Sequence, residues 1–151
     1  MSLQTLLGEG KLRPHRTSAA EISDLLKVVD RDLADAAVGG ISADRRFAIA
    51  YNAALALATM VLHAAGYRSV GLGHHATTIQ LLPDIIGPQV QVRADYLDNC
   101  RSRRNVADYD RAGVISGTEA AEVLAEARAF RADVLEWLRA HHPELLSDGT
   151  A

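Results

Sequence analysis

The sequence predicts an all-α fold, namely an up-and-down four-helix bundle with a short extra helix before the third long helix. Hydrophobic residues make up 48% of the chain but aromatic residues only 5%. The core must therefore be built from aliphatic side chains and much alanine, which favours packed helices over sheets. Ser18 and Ser116 each precede a glutamate by three residues and open runs with helical apolar spacing. No segment has a convincing strand pattern.

Three parts of the chain differ in character. Residues 1–17 mix a short apolar piece with glycine, proline and basic residues, and we expect a loosely held N-terminal arm. Residues 18–142 form the helical domain, and residues 143–151 follow Pro143 as a C-terminal tail. A chain of 151 residues is long enough for one domain with one core.

The first two long helices are bounded by recognisable caps. The first begins at Ser18 and ends near the glycines at 39 and 40. The second begins at Ser42, a typical N-cap, and ends at Gly66, a residue suited to a left-handed C-cap. Apolar side chains surround most of the second helix, so it should be central or covered by a partner subunit.

The later helices follow from proline positions and a second capping signal. Residues 76–87 predict a short helix interrupted near Pro83, and a longer helix runs from about Gln89 into residues 100–110. The last helix begins at Ser116 and stops at Pro143. An up-and-down order brings residues 41–46 close to residues 103–110. It also predicts that His74–His75 share the opposite end with His141–His142.

Charge and composition narrow the function classes. A net charge of −3 and a pI of 6.0 exclude a globally basic nucleic-acid or membrane binder, so such binding needs a local patch. A single cysteine, Cys100, cannot form an internal disulfide or a cysteine-rich zinc site. Apolar stretches are too short or too interrupted to span a bilayer, and no leader is evident. We expect a cytoplasmic protein with no membrane partner and no cofactor.

One charged stretch, CRSRRNVADYD at residues 100–110, contains an arginine in an unexpected position. A helical wheel gathers the apolar side chains of this helix on one face, with Arg104 in its middle. An arginine there must be paired or must reach a wet cavity. Asp108, at the i+4 spacing, is the obvious partner. The alternative to a functional site is a simple helix-end salt bridge between Arg104 and Asp108, worth about 0.2–0.5 kcal/mol.

Polar groups beside Arg104 predict a binding site. Asn105 lies next to the apolar face, with Arg101 and Tyr109 one turn to either side. A guanidinium, a carboxamide, a carboxylate and a phenol could together hold a phosphate, orient a ribose or position a water. Other arginines expected at this end could form a phosphate-binding patch or merely a solvated surface: Arg45, Arg46, Arg101, Arg103 and Arg111.

The Arg104–Asn105 pair near the end of a third long helix resembles the HEPN superfamily. Its signature is an arginine, often followed by asparagine, and a histidine after four to six intervening residues. After four such positions this chain has Tyr109 instead of histidine, and no histidine follows until His141. The bundle-wide resemblance covers residues 18–142, while the specific part is residues 97–111.

The resemblance implies a homodimer whose Arg104 motifs face each other across a cleft. It also implies RNA or nucleotide binding, metal-independent endoribonuclease activity and a toxin–antitoxin-type role. Arg104 would steady the phosphate, with Asn105, Asp108 and Tyr109 beside it. An unperturbed phenol has a pKa near 10 and is a poor general base at neutral pH, so the proton-transfer group is missing from the motif.

Two other interpretations stay open at this stage. The chain is a non-catalytic helical module that pairs with a nucleotidyltransferase or another protein, or it is a bundle without a ligand. The glycines before His74–His75 fit a turn whose histidines cap or pack. No metal site is expected, because adjacent histidines do not match the i, i+4 zinc spacing.

Overall fold

The computed structural model describes residues 3–107 and 111–146. Within them the fold is all-α apart from a two-stranded antiparallel sheet, so the predicted class is confirmed. In chain order the elements are α1 (Leu3–Gly8), β1 (Leu12–Pro14), α2 (Ala19–Ala36), α3 (Ala43–Ala64), β2 (Tyr67–Ser69), α4 (His74–Gln80), α5 (Leu82–Ile86), a 3₁₀ turn (Pro88–Val90), α6 (Gln91–Asn105), α7 (Gly117–His141) and a 3₁₀ turn (Pro143–Leu146).

Serine N-caps set the starts of three long helices. Ser18, Ser42 and Ser116 each accept a hydrogen bond from the backbone N–H three residues later, as predicted. At Ser116 the carboxylate of Glu119 completes a reciprocal capping box. At Ser18 the box is only half formed, because the carboxylate of Glu21 bonds to other side chains.

Helix α3 is the centre of the protein. It packs most extensively against α2 and α7, and it also contacts α4 and α6. Among the described helices it alone is long and apolar enough to cross a membrane, which corrects the expectation that no apolar stretch had that length. However, 61% of its most apolar window is buried inside the protein, as is typical of a core helix.

The N-terminal segment is packed, so the expectation of a loosely held arm is wrong for residues 3–14. Leu6 and Leu12 are fully buried with Leu62 and Leu81 in a small apolar cluster. Strand β1 pairs with β2, which the sequence did not predict. Strands of three residues are too short to show a clear alternation of apolar and polar side chains.

The chain after Pro143 also packs against the domain. The 3₁₀ turn at Pro143–Leu146 contacts α2 and α7, and Leu145 and Leu146 are buried. The first residues of the predicted tail at 143–151 are therefore part of the core. Residues 147–151 lie outside the described part of the chain.

Arginine side chains connect α6 to α7. Arg93 donates to Glu126 and Asp133, both at 2.6 Å, and its guanidinium lies 5.2 Å from the centroid of the Phe130 ring. Arg103 donates to Glu119 at 2.6 Å. A groove of about 520 Å³ between α6 and α7 is lined by Arg93, Glu126, Phe130 and Asp133, among others.

The start of α3 lies beside residues 113–117, which come shortly after the segment 103–110 that was expected there. Asp44 accepts hydrogen bonds from the backbone N–H groups of Gly113 at 2.6 Å and Ile115 at 3.1 Å. These bonds fix the chain that leaves α6 against the N-terminal end of α3.

His74 and His75 do not lie with His141 and His142, so that expectation is wrong. Residues 66–73, which include β2, carry the chain back alongside α3 before α4 begins. The three residues of β2 advance about 10 Å, and α4 itself also contacts α3. His74 and His75 therefore lie against the end of α6.

Candidate functional site

A polar cleft lies between the start of α4 and the last turns of α6. It has a volume of about 230 Å³ and is called the Arg104 cleft below. Side chains from both helices line it: His74, His75, Ala76, Arg101, Arg104 and Asn105, together with Gly73. Three of the predicted site residues are thus brought together with two histidines that the sequence analysis assigned to a turn.

Arg104 is half-buried on the inner side of α6, where the helical wheel expected it. Its Nε atom is buried, and its guanidinium carbon lies 5.9 Å from the centroid of the Tyr51 ring on α3. The face of an aromatic ring attracts a cation electrostatically. This contact helps to hold Arg104 at the edge of the cleft despite the apolar surroundings of α6.

Arg101 and Asn105 complete the α6 side of the cleft. Arg101 lies one turn before Asn105, and its Nε donates to Asp98 at 3.0 Å, which orients the side chain along the helix. Asn105 is exposed at the last position of α6. Two guanidinium groups and a carboxamide suit a phosphate group, since arginine presents several donors in a planar arrangement.

His74 and His75 form the α4 side of the cleft. Gly73 precedes them with φ +74°, a left-handed conformation that glycine adopts readily. The two imidazole rings lie edge to face with centroids 4.1 Å apart. Burial lowers the pKa of His75, and its electrostatic interactions with His74, Arg104 and Arg101 lower it further. His75 is therefore neutral at pH 7 and able to accept a proton.

The other residues predicted for the site are not among those that line the Arg104 cleft in the described part of the chain. Asp108 and Tyr109 lie outside the described residues. Arg103 turns toward α7 and the connection before it, where it donates to Glu119 on α7 and to the carbonyl oxygen of Val114. The structure thus separates Arg103 from Arg101 and Arg104.

Three remaining arginines belong to the neighbouring helix ends. The Arg46 guanidinium lies beside Gly117 at the start of α7. Arg45 is exposed in the first turn of α3, and Arg111 is exposed in the connection after α6. None of the three lines the Arg104 cleft.

Cys100 is a core residue rather than a nucleophile. It is 3% exposed on the inner face of α6. Burial raises its thiol pKa to about 11, so the reactive thiolate is scarce at neutral pH.

Tyr51 gives a first testable prediction beside the cleft. Its hydroxyl is buried without a hydrogen-bond partner in the described part of the chain, and burial raises its pKa to about 12. Because a buried unsatisfied hydroxyl is unfavourable, Tyr51→Phe should leave the free energy of unfolding unchanged or raise it by about 1 kcal/mol in urea denaturation. Tyr51→Ala should instead lower it by about 3–5 kcal/mol through loss of packing. A clear loss of stability in Tyr51→Phe would show that the hydroxyl has a structural partner.

The chain matches no protein-family model, no curated protein and no solved structure.

Proposed function

We propose that the protein binds RNA in the Arg104 cleft and cleaves it without a metal ion. The observation that carries this proposal is that His74 and His75 line the same cavity as Arg101, Arg104 and Asn105. Phosphate-binding groups and a proton-transfer group are thus available within one cleft. The HEPN resemblance points to the same chemistry from the sequence.

Arg101 and Arg104 hold the scissile phosphate. The phosphodiester carries one negative charge, and further negative charge develops on its oxygens during attack by a neighbouring hydroxyl. Guanidinium groups fixed before the reaction stabilise that charge in the transition state. Asn105 is close enough to the same cavity to donate a hydrogen bond to a phosphate or ribose oxygen.

His75 acts as the general base. Its neutral imidazole removes the proton from the ribose 2′-hydroxyl, and the 2′-oxygen attacks phosphorus. The bond from phosphorus to the 5′-oxygen breaks, and His74 or a water protonates that leaving oxygen. The products are a 2′,3′-cyclic phosphate end and a 5′-hydroxyl end. No step needs an oxidant or a bound metal.

The proposed role of His75 supplies the proton-transfer group that is missing from the Arg104 motif. The HEPN signature expects a histidine on the same helix, where this chain has Tyr109. In our proposal the histidine comes instead from α4, across the cleft. The implied homodimer, toxin–antitoxin-type role and cytoplasmic location belong to the same proposal.

The proposed function is tested with purified protein, short single-stranded RNA, low salt and EDTA. Wild type should retard the RNA and produce 2′,3′-cyclic phosphate ends. Arg104→Ala should weaken RNA binding by about tenfold or more, since a charge-assisted hydrogen bond contributes about 1.5–3 kcal/mol. Far-UV circular dichroism checks that the helices persist.

Arg128→Ala is the matched control, because Arg128 is exposed on α7 and does not line the cleft. It should bind and cleave like wild type. If wild type neither retards nor cleaves RNA, the proposal is wrong. Equal losses in both arginine variants would show only a general effect of positive charge.

A second candidate function is that of a non-catalytic interaction module. The observation that favours it is the groove between α6 and α7, which is larger than the Arg104 cleft and includes the exposed side chain of Val92 and part of Trp137. A helix of a nucleotidyltransferase or another partner protein could lie there. Co-purification with the product of a neighbouring gene, lost in Val92→Asp, would support this candidate.

A further inference from the structure

A second cluster of functional groups lies away from the Arg104 cleft. His15 follows β1, Glu21 lies in the first turn of α2, and His63 lies in the last turn of α3. Glu21 Oε1 is 2.7 Å from His15 Nε2 and 2.9 Å from His63 Nδ1. Three separate segments of the chain therefore direct one ligand-type atom each toward a common point.

The spacing of these atoms fits a small metal ion. The two imidazole nitrogens and the carboxylate oxygen all lie within 4.8 Å of one another. In a tetrahedral zinc site with bonds of 2.0–2.1 Å, ligand atoms are about 3.3 Å apart. From 2.7 and 2.9 Å, the two contacts of Glu21 Oε1 with the imidazole nitrogens would have to lengthen by about half an ångström to reach that spacing.

One carboxylate oxygen of Glu21 has more hydrogen-bonding neighbours than it can satisfy at the same time. Thr17 Oγ1 also donates to Glu21 Oε1, at 2.7 Å, so three potential donors converge on one oxygen. A carboxylate oxygen has only about two lone-pair positions. A metal bound by both imidazoles and the carboxylate would replace the two histidine contacts and leave Thr17 to orient Glu21, as outer groups do in metal sites.

The backbone holds the cluster in place independently of these side chains. Pro14 is paired with Tyr67 in the small sheet, and the His15 N–H donates to the Gly66 carbonyl oxygen at 2.8 Å. Gly66 itself follows the helix that carries His63. The loop bearing His15 is therefore fixed beside the end of α3. This fixed position lowers the entropic cost of binding a metal ion.

We propose that His15, Glu21 and His63 bind one divalent transition metal of the zinc class. Two nitrogen ligands and one carboxylate suit zinc or cobalt better than magnesium or calcium, which prefer oxygen. The side chains are 21%, 36% and 16% exposed respectively, so a water can reach the fourth position. The positive charge of Arg68 acts on His63 and opposes a bound cation there.

Bound metal would link the N-terminal segment to both α2 and α3. Because the ion binds the folded state, it should raise the midpoint of thermal unfolding by about 5–10 °C at 100 times its dissociation constant. This effect is independent of RNA cleavage, since none of the three ligands lines the Arg104 cleft.

The test is titration of the full chain, first stripped with EDTA and then dialysed, with cobalt(II). Wild type should bind one equivalent and develop the visible absorption bands of a low-coordinate cobalt site, and zinc should displace the cobalt. His15→Gln, Glu21→Gln and His63→Gln should each weaken binding by at least about tenfold, since loss even of an outer-shell group costs 10- to 100-fold.

The double variant His141→Gln, His142→Gln is the matched control, because it removes two histidines outside the cluster. It should bind cobalt like wild type. Circular dichroism identifies any variant that fails to fold, and His15→Gln is the mildest of the three because it leaves α2 and α3 unchanged. Failure of wild type to bind one equivalent, or equal binding by folded cluster variants, would overturn the proposal.

Discussion

His75→Ala is expected to reduce the rate of RNA cleavage by about 10²- to 10⁴-fold, the usual contribution of a positioned general base. His75 lines the Arg104 cleft, and its imidazole is neutral at pH 7 because its pKa is lowered from 6.5 by burial and by His74, Arg104 and Arg101. RNA binding should change far less than the rate, since Arg101 and Arg104 remain. Single-turnover cleavage and gel retardation measure the two separately.

The pH dependence distinguishes a base from a residue that merely shapes the cleft. A histidine whose pKa is lowered gains its proton only below pH 6.5, so wild-type cleavage should fall as the pH decreases from that value. The residual activity of His75→Ala should lose this dependence.

His75→Gln and His74→Ala serve as comparisons. His75→Gln keeps a polar side chain that cannot titrate, and it should be as slow as His75→Ala. His74→Ala should be impaired less if a water can protonate the leaving oxygen. Unchanged rate and pH profile in folded His75→Ala would remove His75 from the mechanism, while leaving phosphate binding by Arg104 open to its own test.

Phe130→Ala is expected to lower the free energy of unfolding by about 3–5 kcal/mol. Phe130 is 1% exposed on α7, and its ring packs under the Arg93 guanidinium that joins α6 to α7. The substitution removes a large buried side chain and also the ring that supports Arg93. Urea denaturation followed by circular dichroism at 222 nm measures the loss.

Phe130→Leu is the graded comparison, because it removes only part of the buried side chain. It should leave a smaller cavity than Phe130→Ala and should therefore lower the free energy of unfolding by clearly less. A loss below 1 kcal/mol in Phe130→Ala would contradict the burial of this ring. Because Phe130 also borders the groove between α6 and α7, Phe130→Ala should be tested for partner binding only under conditions where it is folded.

The local signals in the sequence were sufficient to place the starts of the long helices α2, α3 and α7. Ser18, Ser42 and Ser116 were each predicted as N-caps and are N-caps in the structure. Such caps depend on contacts between residues only three positions apart, so the sequence carries them directly. The inward position of Arg104 on α6 follows from helical periodicity in the same way.

Contacts between distant segments were not predictable in this way. His74 and His75 join Arg104 because an extended segment carries the chain back along α3, whereas short loops would have put them at the other end. Strand β2, the strand in this segment, has only three residues and is too short to show a periodic pattern. The cluster of His15, Glu21 and His63 combines residues up to 48 positions apart in the numbering of the chain, and no spacing rule connects them.

By itself the sequence therefore determined the all-α class, the three serine caps and the face of α6 that carries Arg104. Only the tertiary structure decided which groups share a cleft with Arg104, and that the N-terminal segment packs against the core. The physical reason is that helix caps and helix faces arise from neighbours along the chain. A binding site instead depends on how the connections between helices run, and their course is set by burial of side chains such as Leu6, Leu12 and Leu81.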